Sequence, residues 1–374
     1  MEVGERKKEG QREQEEKMLR FWLGTIDGIG IERTKKLLAE CKGFRGVFEA
    51  GEEKLGKIRG LGKKEVSCIL KSRRKGDYRK EWERLYTEGI GYYSYFGEEY
   101  PERLRHIYRP PKHLYVKGRL PNPARPAIGI VGARDCSCYG RDMARLFGYR
   151  LAEAGVQIIS GMAKGIDGWA HRGALESGGQ TFAVLGCGVE VCYPAVHRWM
   201  YERIPEKGGI ISEFAPKLPA SPRFFPIRNR IISGLSDGIL IVEARERSGS
   251  LITADAALEQ GRDVFVIPGR IGDELSIGCN RLIRQGAVPV ESPKDILEYY
   301  EVEYTNNIEE KRQQGKTDEE NCILKAVRTA PTHIGQILLE TNKKETEVMK
   351  ALLSLEKKGE IREISRGYFI RMNC

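Results

Sequence analysis

The chain has 374 residues, 40% of them apolar and 31% charged, with a formal net charge of +10. That length and composition predict a globular protein of two or three domains. A run of about 18 apolar residues is missing, and the N-terminus is charged where a secretion signal would be apolar; membrane insertion and export are therefore unsupported, and the cytoplasm is the expected compartment. Nine cysteines without Cys-x-x-Cys spacing argue against a disulfide framework or a zinc ribbon, so reduced thiols and no bound metal are expected.

Residues 1–20 hold six acidic and six basic side chains with little apolar periodicity, which reads as a charged tail, either a frayed helix or disordered. Between residues 21 and 80 sixteen bases face eight acids, the strongest local excess of positive charge in the chain. In that stretch Asp27-Gly28-Ile29-Gly30 and Ile58-Arg59-Gly60-Leu61-Gly62-Lys63-Lys64 repeat a Gly-hydrophobic-Gly turn ahead of apolar-periodic segments. Residues 21–85 thus resemble a paired helix-hairpin-helix (SAM-like) domain. Its glycines could bring backbone and helix N-termini against phosphates, or could simply cap helices.

Residues 86–300 predict an extended Rossmann-like α/β core with a doubly wound, mainly parallel sheet. Short Val- and Ile-rich runs at 127–133, 156–161, 181–186, 209–214, 238–244, 263–268 and 287–290 are mostly unalternated, as strands buried on both faces should be. Helix-length segments at 141–154, 166–177, 196–204, 229–235, 250–260 and 278–285 separate them. Residues 301–316 read as an acidic linker. From 317 to 374 the pattern is winged-helix-like: helical segments at 321–327, 332–340 and 344–357 precede a wing that turns at Arg366-Gly367. Such a domain could meet DNA or protein.

In a doubly wound sheet, ligands bind beyond the carboxyl ends of the strands. Loops there are rich in Gly, Ser and base: Gly132 and Arg134 after the first strand, Ser160, Gly161 and Lys164 after the second, and Ser248, Gly249 and Ser250 further on. Each brings backbone N–H groups and a helix N-terminus towards a place fit for phosphate. The segment Phe224–Arg230, preceded by Lys217, adds aromatic faces for bases and guanidinium forks for phosphates in Phe225, Arg228, Asn229 and Arg230. Residues 81–300 are otherwise close to charge balance, so binding must come from these local clusters.

Enzymatic motifs fare less well. Gly234-Leu235-Ser236-Asp237-Gly238 fits the nucleophile-elbow formula but leaves a helix and enters a strand, the wrong order. Asp167 and His171 share a helix face and could form an acid/base pair, although a helix-capping Asp and a packed His are the expectation. Glu213 and Glu243 could hold a ribose hydroxyl or, as expected here, an arginine. The first strand is not followed by Gly-x-Gly-x-x-Gly, so no dinucleotide cofactor and no catalytic residue are assigned.

Many separated motifs in order, among them Tyr100-Pro101, residues 111–118, the 131–140 and 160–167 loops, Tyr193-Pro194, Phe225–Ile232, Val242-Glu243-Ala244, residues 248–253 and Gly278-Cys279-Asn280, resemble the DprA/Smf family of bacterial DNA-processing proteins. The resemblance spans about residues 90–295. It implies a non-enzymatic, homodimeric protein of natural transformation that binds and protects incoming single-stranded DNA and loads RecA recombinase onto it, with single-strand-binding protein as a further partner. By motif, Arg134, Lys164, Arg228 and Arg230 would grip phosphates with support from Lys217, Phe225 and Asn229 would meet a base, and the loop backbones would supply donors. The alternative is a Rossmann-like nucleotide hydrolase of the phosphoribohydrolase type, using Glu213 or Glu243.

Overall fold

The structure, a computed structural model, describes residues 2–303, 317–328 and 330–371. The chain divides into two compact units, residues 1–301 and 302–374.

Helix α1 (Glu2–Gly24) runs unbroken through the stretch expected to be a tail. The reason lies at its end, where Leu19, Phe21, Trp22 and Leu23 are buried and anchor it. Helices α2 (Ile31–Cys41), α3 (Phe44–Glu49), α4 (Glu52–Gly56), α5 (Lys63–Lys75) and α6 (Asp77–Thr87) follow. Both Gly-hydrophobic-Gly turns are present, with Gly28 at φ +79° and Gly60 at φ +97°, a region that disfavours side chains. Arg33 ties one turn to the other: it donates to the Gly60 carbonyl at 3.2 Å, donates to the Gly28 carbonyl, and meets Glu65 at 3.3 Å.

The sheet is larger than expected. Strands β1 (Ile90–Ser94) and β2 (His113–Gly118), with α7 (Glu102–Arg105) between them, precede the seven anticipated strands, β3 (Ala127–Val131), β4 (Gln157–Ser160), β5 (Thr181–Val184), β6 (Gly209–Ser212), β7 (Gly238–Ile241), β8 (Asp263–Val266) and β9 (Val288–Pro289). The order is β1-β2-β6-β5-β4-β3-β7-β8-β9. From β6 to β9 all pairings are parallel, while β2 joins antiparallel to β6 and β1 antiparallel to β2. Crossovers run through α8 (Cys138–Glu153), α9 (Ile166–Glu176), α10 (Arg198–Lys207), α11 (Phe224–Leu235), α12 (Gly249–Glu259) and α13 (Ile277–Arg284), and α14 (Pro293–Tyr299) closes the unit. β3 through β6 build outwards in one direction and β7 through β9 in the other, so the winding reverses between β3 and β7.

The helical region is not packed apart from the sheet. Trp22, Leu37 and Leu55 belong to the same buried cluster as Tyr115, Ala183 and Leu185, whereas Leu104, Val116, Ile159, Ile231 and Leu251 form a second cluster. The division expected near residue 85 is thus a change of architecture inside one compact unit. Most of the expected linker, residues 304–316, lies outside the described residues.

In the second unit α15 (Asp318–Ala326), α16 (Ile334–Thr341) and α17 (Glu345–Lys357) pack with β10 (Thr332–His333), β11 (Ile361–Ser365) and β12 (Tyr368–Arg371). The sheet order is β10-β12-β11, and Ile323, Ile337, Val348, Leu352, Leu355 and Phe369 fill the core. The hairpin of β11 and β12 turns at Gly367, φ +79°. Glu320 secures the unit: buried, it accepts from Lys358 Nζ at 2.8 Å and from Ser354 Oγ at 2.7 Å.

Candidate nucleic-acid interface

At the carboxyl ends of β3 and β7, where the winding reverses, lies a cleft of about 330 Å³. A reversal point leaves neighbouring loops diverging to opposite faces of the sheet, which opens a crevice between them. Its walls are Val131–Asp135, Ala163 and Asp167, the first turns of α11, and the Arg245–Thr253 loop leading into α12.

The wall after β3 is held from beneath. Glu243, just past β7, accepts hydrogen bonds from the Ser137 N–H at 2.9 Å and Ser137 Oγ at 2.5 Å. Ser137 Oγ in turn caps α8 by accepting from the Gly140 N–H at 3.0 Å. A Cβ at Gly140 would sit 2.2 Å from the Glu243 carboxylate, so only glycine leaves room for this clamp. Gly165, at φ +75°, brings the next loop against the Ala133 and Arg134 carbonyls, where a Cβ would stand 2.3 Å from both oxygens. With its backbone pinned, the loop leaves the Arg134 side chain exposed.

The floor consists of groups assigned above to the ligand. Arg228 is 3% exposed; its guanidinium donates to the Gly161 carbonyl at 2.7 Å and to the Val184 carbonyl, beside Asp167. Burial pushes its pKa down to about 10, with Asp167 opposing the fall; burial likewise raises the Asp167 carboxyl, against the pull of Arg228 and the Gly161 N–H. Asp167 accepts from that N–H at 3.1 Å, and Ser160 Oγ donates to the Ile130 carbonyl at 2.6 Å. The expectation that Arg228 grips phosphate and that Ser160 and Gly161 offer donors to a ligand is corrected: Arg228 Nη1, the Gly161 N–H and Ser160 Oγ are spent on internal acceptors, and Arg228 Nε is buried. His171 is equally internal, 2.6 Å from Thr181 Oγ1, with burial driving its pKa down to about 3.

What remains open to solvent has a different composition. The Arg134 guanidinium lies 5.1 Å from the centre of the Phe225 ring, and the Tyr193 ring stands 5.7 Å away on a 31° tilt. Gly186 lies under Phe225, whose ring would meet a Cβ there at 2.6 Å. Asn229 Nδ2 donates to the Gly249 carbonyl at 3.2 Å, which joins α11 to the start of α12. Ser248 caps α12, accepting from the Ser250 N–H at 3.3 Å, and the space around the Gly249 Cα is open. Arg245 and Arg247, missed in the sequence, also line the cleft; Arg245 has Glu274 at 4.0 Å and Arg247 has no ion pair among the described residues. Their signal was positional, since both lie between the end of β7 and the Ser248 cap.

The remaining expected residues scatter. Lys164 is exposed one position beyond Ala163, just outside the lining. Lys217 acts electrostatically on Glu81 and Glu88 at the helical region. Arg230 points away from the cleft and pairs with Glu213 at 2.5 Å; that carboxyl is raised by burial and lowered by Arg230. Glu213 therefore has the arginine partner expected of it, whereas Glu243 holds a serine instead. Ser236, of the rejected elbow, donates to the Ile232 carbonyl at 2.8 Å. Among the described residues no cluster of three His, Cys, Asp or Glu is placed to hold a metal, and no helix is long and apolar enough to cross a membrane.

Fold and cleft define a doubly wound α/β protein whose switch point carries exposed guanidinium groups, a capped helix N-terminus and stacked aromatic rings. The chain belongs to the family described as DNA recombination-mediator protein A, whose sequence model matches residues 92–301. It is 48% identical to protein Smf of Escherichia coli over 202 residues, 54% of each chain, so it spans about half the length of that relative. The structure of DNA processing protein A from Streptococcus pneumoniae superposes with a TM-score of 0.65 at 34% identity, covering 77% of this chain and 99% of that one. A Helicobacter pylori DNA processing protein A, whose single-stranded DNA binding mode is the subject of its structure, superposes with a TM-score of 0.51 at 26% identity, covering 58% and 97%.

Proposed function

We propose that this chain binds single-stranded DNA across the switch-point cleft and holds it without turnover. The Tyr193–Phe225–Arg134 stack carries the reading. Unpaired bases present π-faces that duplex DNA hides, and a ring beside a guanidinium serves base and phosphate together. Arg134, Lys164, Arg245 and Arg247 would meet phosphates, Phe225 and Asn229 a base, and Gly132, Gly249 and the N-terminal N–H groups of α12 would accept the close approach of the strand. Both carboxylates available to a hydrolase, Glu213 and Glu243, are engaged in internal hydrogen bonds, which disfavours that alternative.

Family membership supports the wider role: a cytoplasmic homodimer in DNA processing and natural transformation that protects single strands and loads RecA onto them in the presence of single-strand-binding protein. Fluorescence anisotropy with single-stranded and duplex oligonucleotides across a salt series tests the binding claim. The logarithmic slope should be close to −0.7 for each phosphate neutralised. Arg134→Ala and Lys164→Ala should each weaken binding and flatten that slope; equal affinity for both DNA forms, or wild-type binding by both variants, would overturn it. RecA filament growth on strands coated with single-strand-binding protein tests the loading step.

A further inference from the structure

A second cleft, of about 1080 Å³, lies on the other side of α11, between the sheet and the first Gly-hydrophobic-Gly turn. At 100° per residue, Phe225 and Asn229 share one face of α11 while Ile227 and Arg230 share the opposite face. Pro226 lines both clefts, so they meet across the first turn of this helix.

We infer that this second cleft carries the continuation of the single strand that leaves the switch-point cleft, an inference that rests on the binding reading above. The lining matches what an unpaired strand requires. Tyr108 presents its ring at 73% exposure, with the Arg109 guanidinium 5.8 Å from its centre and no ion pair on Arg109 among the described residues. Ile227, 45% exposed, adds an apolar edge on the α11 side. Lys35 comes from the opposite wall, paired with the exposed Glu32 at 2.8 Å and 5.8 Å from the centre of the Tyr95 ring.

Deeper in, two cations keep donor capacity that carboxylates do not take up. Lys112 donates to the Leu23 carbonyl at 3.0 Å and has no ion pair among the described residues; burial pushes its pKa down to about 8. Arg230 Nη1 is buried with no hydrogen-bond partner, although Glu213 holds the other arm of the guanidinium. A cationic wall beside an exposed ring and an apolar edge suits a strand whose bases are free to stack. A duplex would offer it phosphates alone.

The test uses the full chain and oligothymidylates of about 6 and about 25 nucleotides, the first near the lower end and the second beyond the upper end of the ~4–16 nucleotides that single-strand sites cover. The Tyr108→Ala/Arg109→Gln double variant should bind the short strand as wild type and the long strand at least about tenfold more weakly, with the salt slope for the long strand smaller by about 0.7. Lys35→Glu, on the opposite wall and exposed, should reproduce this length-dependent loss. Wild-type binding of the long strand by both variants overturns the inference, as does an equal loss at both lengths or a loss confined to duplex. Arg134→Ala separates the two claims. If it weakens both lengths while the Tyr108/Arg109 and Lys35 variants leave both intact, only the second cleft is refuted; if it leaves both lengths intact, the switch-point reading itself fails.

Discussion

Replacing Arg228 by alanine should unsettle the whole first unit, and only secondarily its DNA binding. The guanidinium is 3% exposed, donates to the carbonyls of Gly161 and Val184, and acts electrostatically on the buried Asp167 carboxylate. Alanine leaves two buried carbonyl groups without this donor and one buried acid without its counter-charge. Leaving those buried groups uncompensated costs on the order of 3–5 kcal/mol, by analogy with the loss of one partner of a buried charge pair. For a large domain each kcal/mol shifts the midpoint by about 2–4 °C, so a fall on the order of 10 °C is expected in differential scanning calorimetry. Arg228→Ala/Asp167→Asn should recover part of the loss, because it also removes the stranded charge. An Arg228→Ala protein that melts like wild type yet no longer binds single strands would refute the reasoning and return Arg228 to the ligand.

Gly249→Ala adds a methyl group into open space at the start of α12, so stability should be unchanged or slightly raised, by at most ~1 kcal/mol. If the strand approaches that backbone closely, affinity should drop about tenfold in the anisotropy assay, and unchanged affinity would place the strand elsewhere. Phe225→Ala should reduce binding by about 1–3 kcal/mol, the worth of one stacked base, with little change in salt slope; a changed slope at constant intrinsic affinity would mean that the ring only positions Arg134. In the second unit, Lys358 and then Ser354 hold the Glu320 carboxyl down to about 2, from an ordinary 4.5. A lowered acid stabilises the fold above its unfolded value and loses that effect as pH falls through the folded one. The stabilisation should therefore be complete above about pH 4.5 and fade towards pH 2, and Glu320→Gln should forfeit it at neutral pH. Hydrogen exchange across residues 317–371 between pH 6 and pH 3 checks this; a variant with wild-type protection at pH 6 would contradict it.

The parallel core was readable because strands covered on both faces must be continuously apolar, and β3 to β9 carry that mark within a few residues. β1 and β2 escaped notice: Ile90–Ser94 and His113–Gly118 carry Tyr, Gly, Lys and His, a pattern that an antiparallel edge tolerates and that resembles loop in one dimension. Residues 1–20 left helix and disorder open because their balanced charge hides how firmly the next four are buried. Arg245 and Arg247 were legible only once a strand end and a helix cap bracketed them.

Sequence alone determined the winding of the core, the Gly- and Ser-rich loops at its strand ends and the family. Only the tertiary structure decided which side chains share a surface. Phe225, Arg228, Asn229 and Arg230 look like one aromatic-basic cluster when read in a line. Coiled into α11 at 100° per residue they point three ways: Phe225 and Asn229 into the switch-point cleft, Arg228 into the interior against Asp167, and Arg230 to Glu213 on the far side. A helix disperses neighbours in sequence, while the reversal of strand order between β3 and β7 gathers Arg134, Phe225 and Ser248 from distant segments into one cleft.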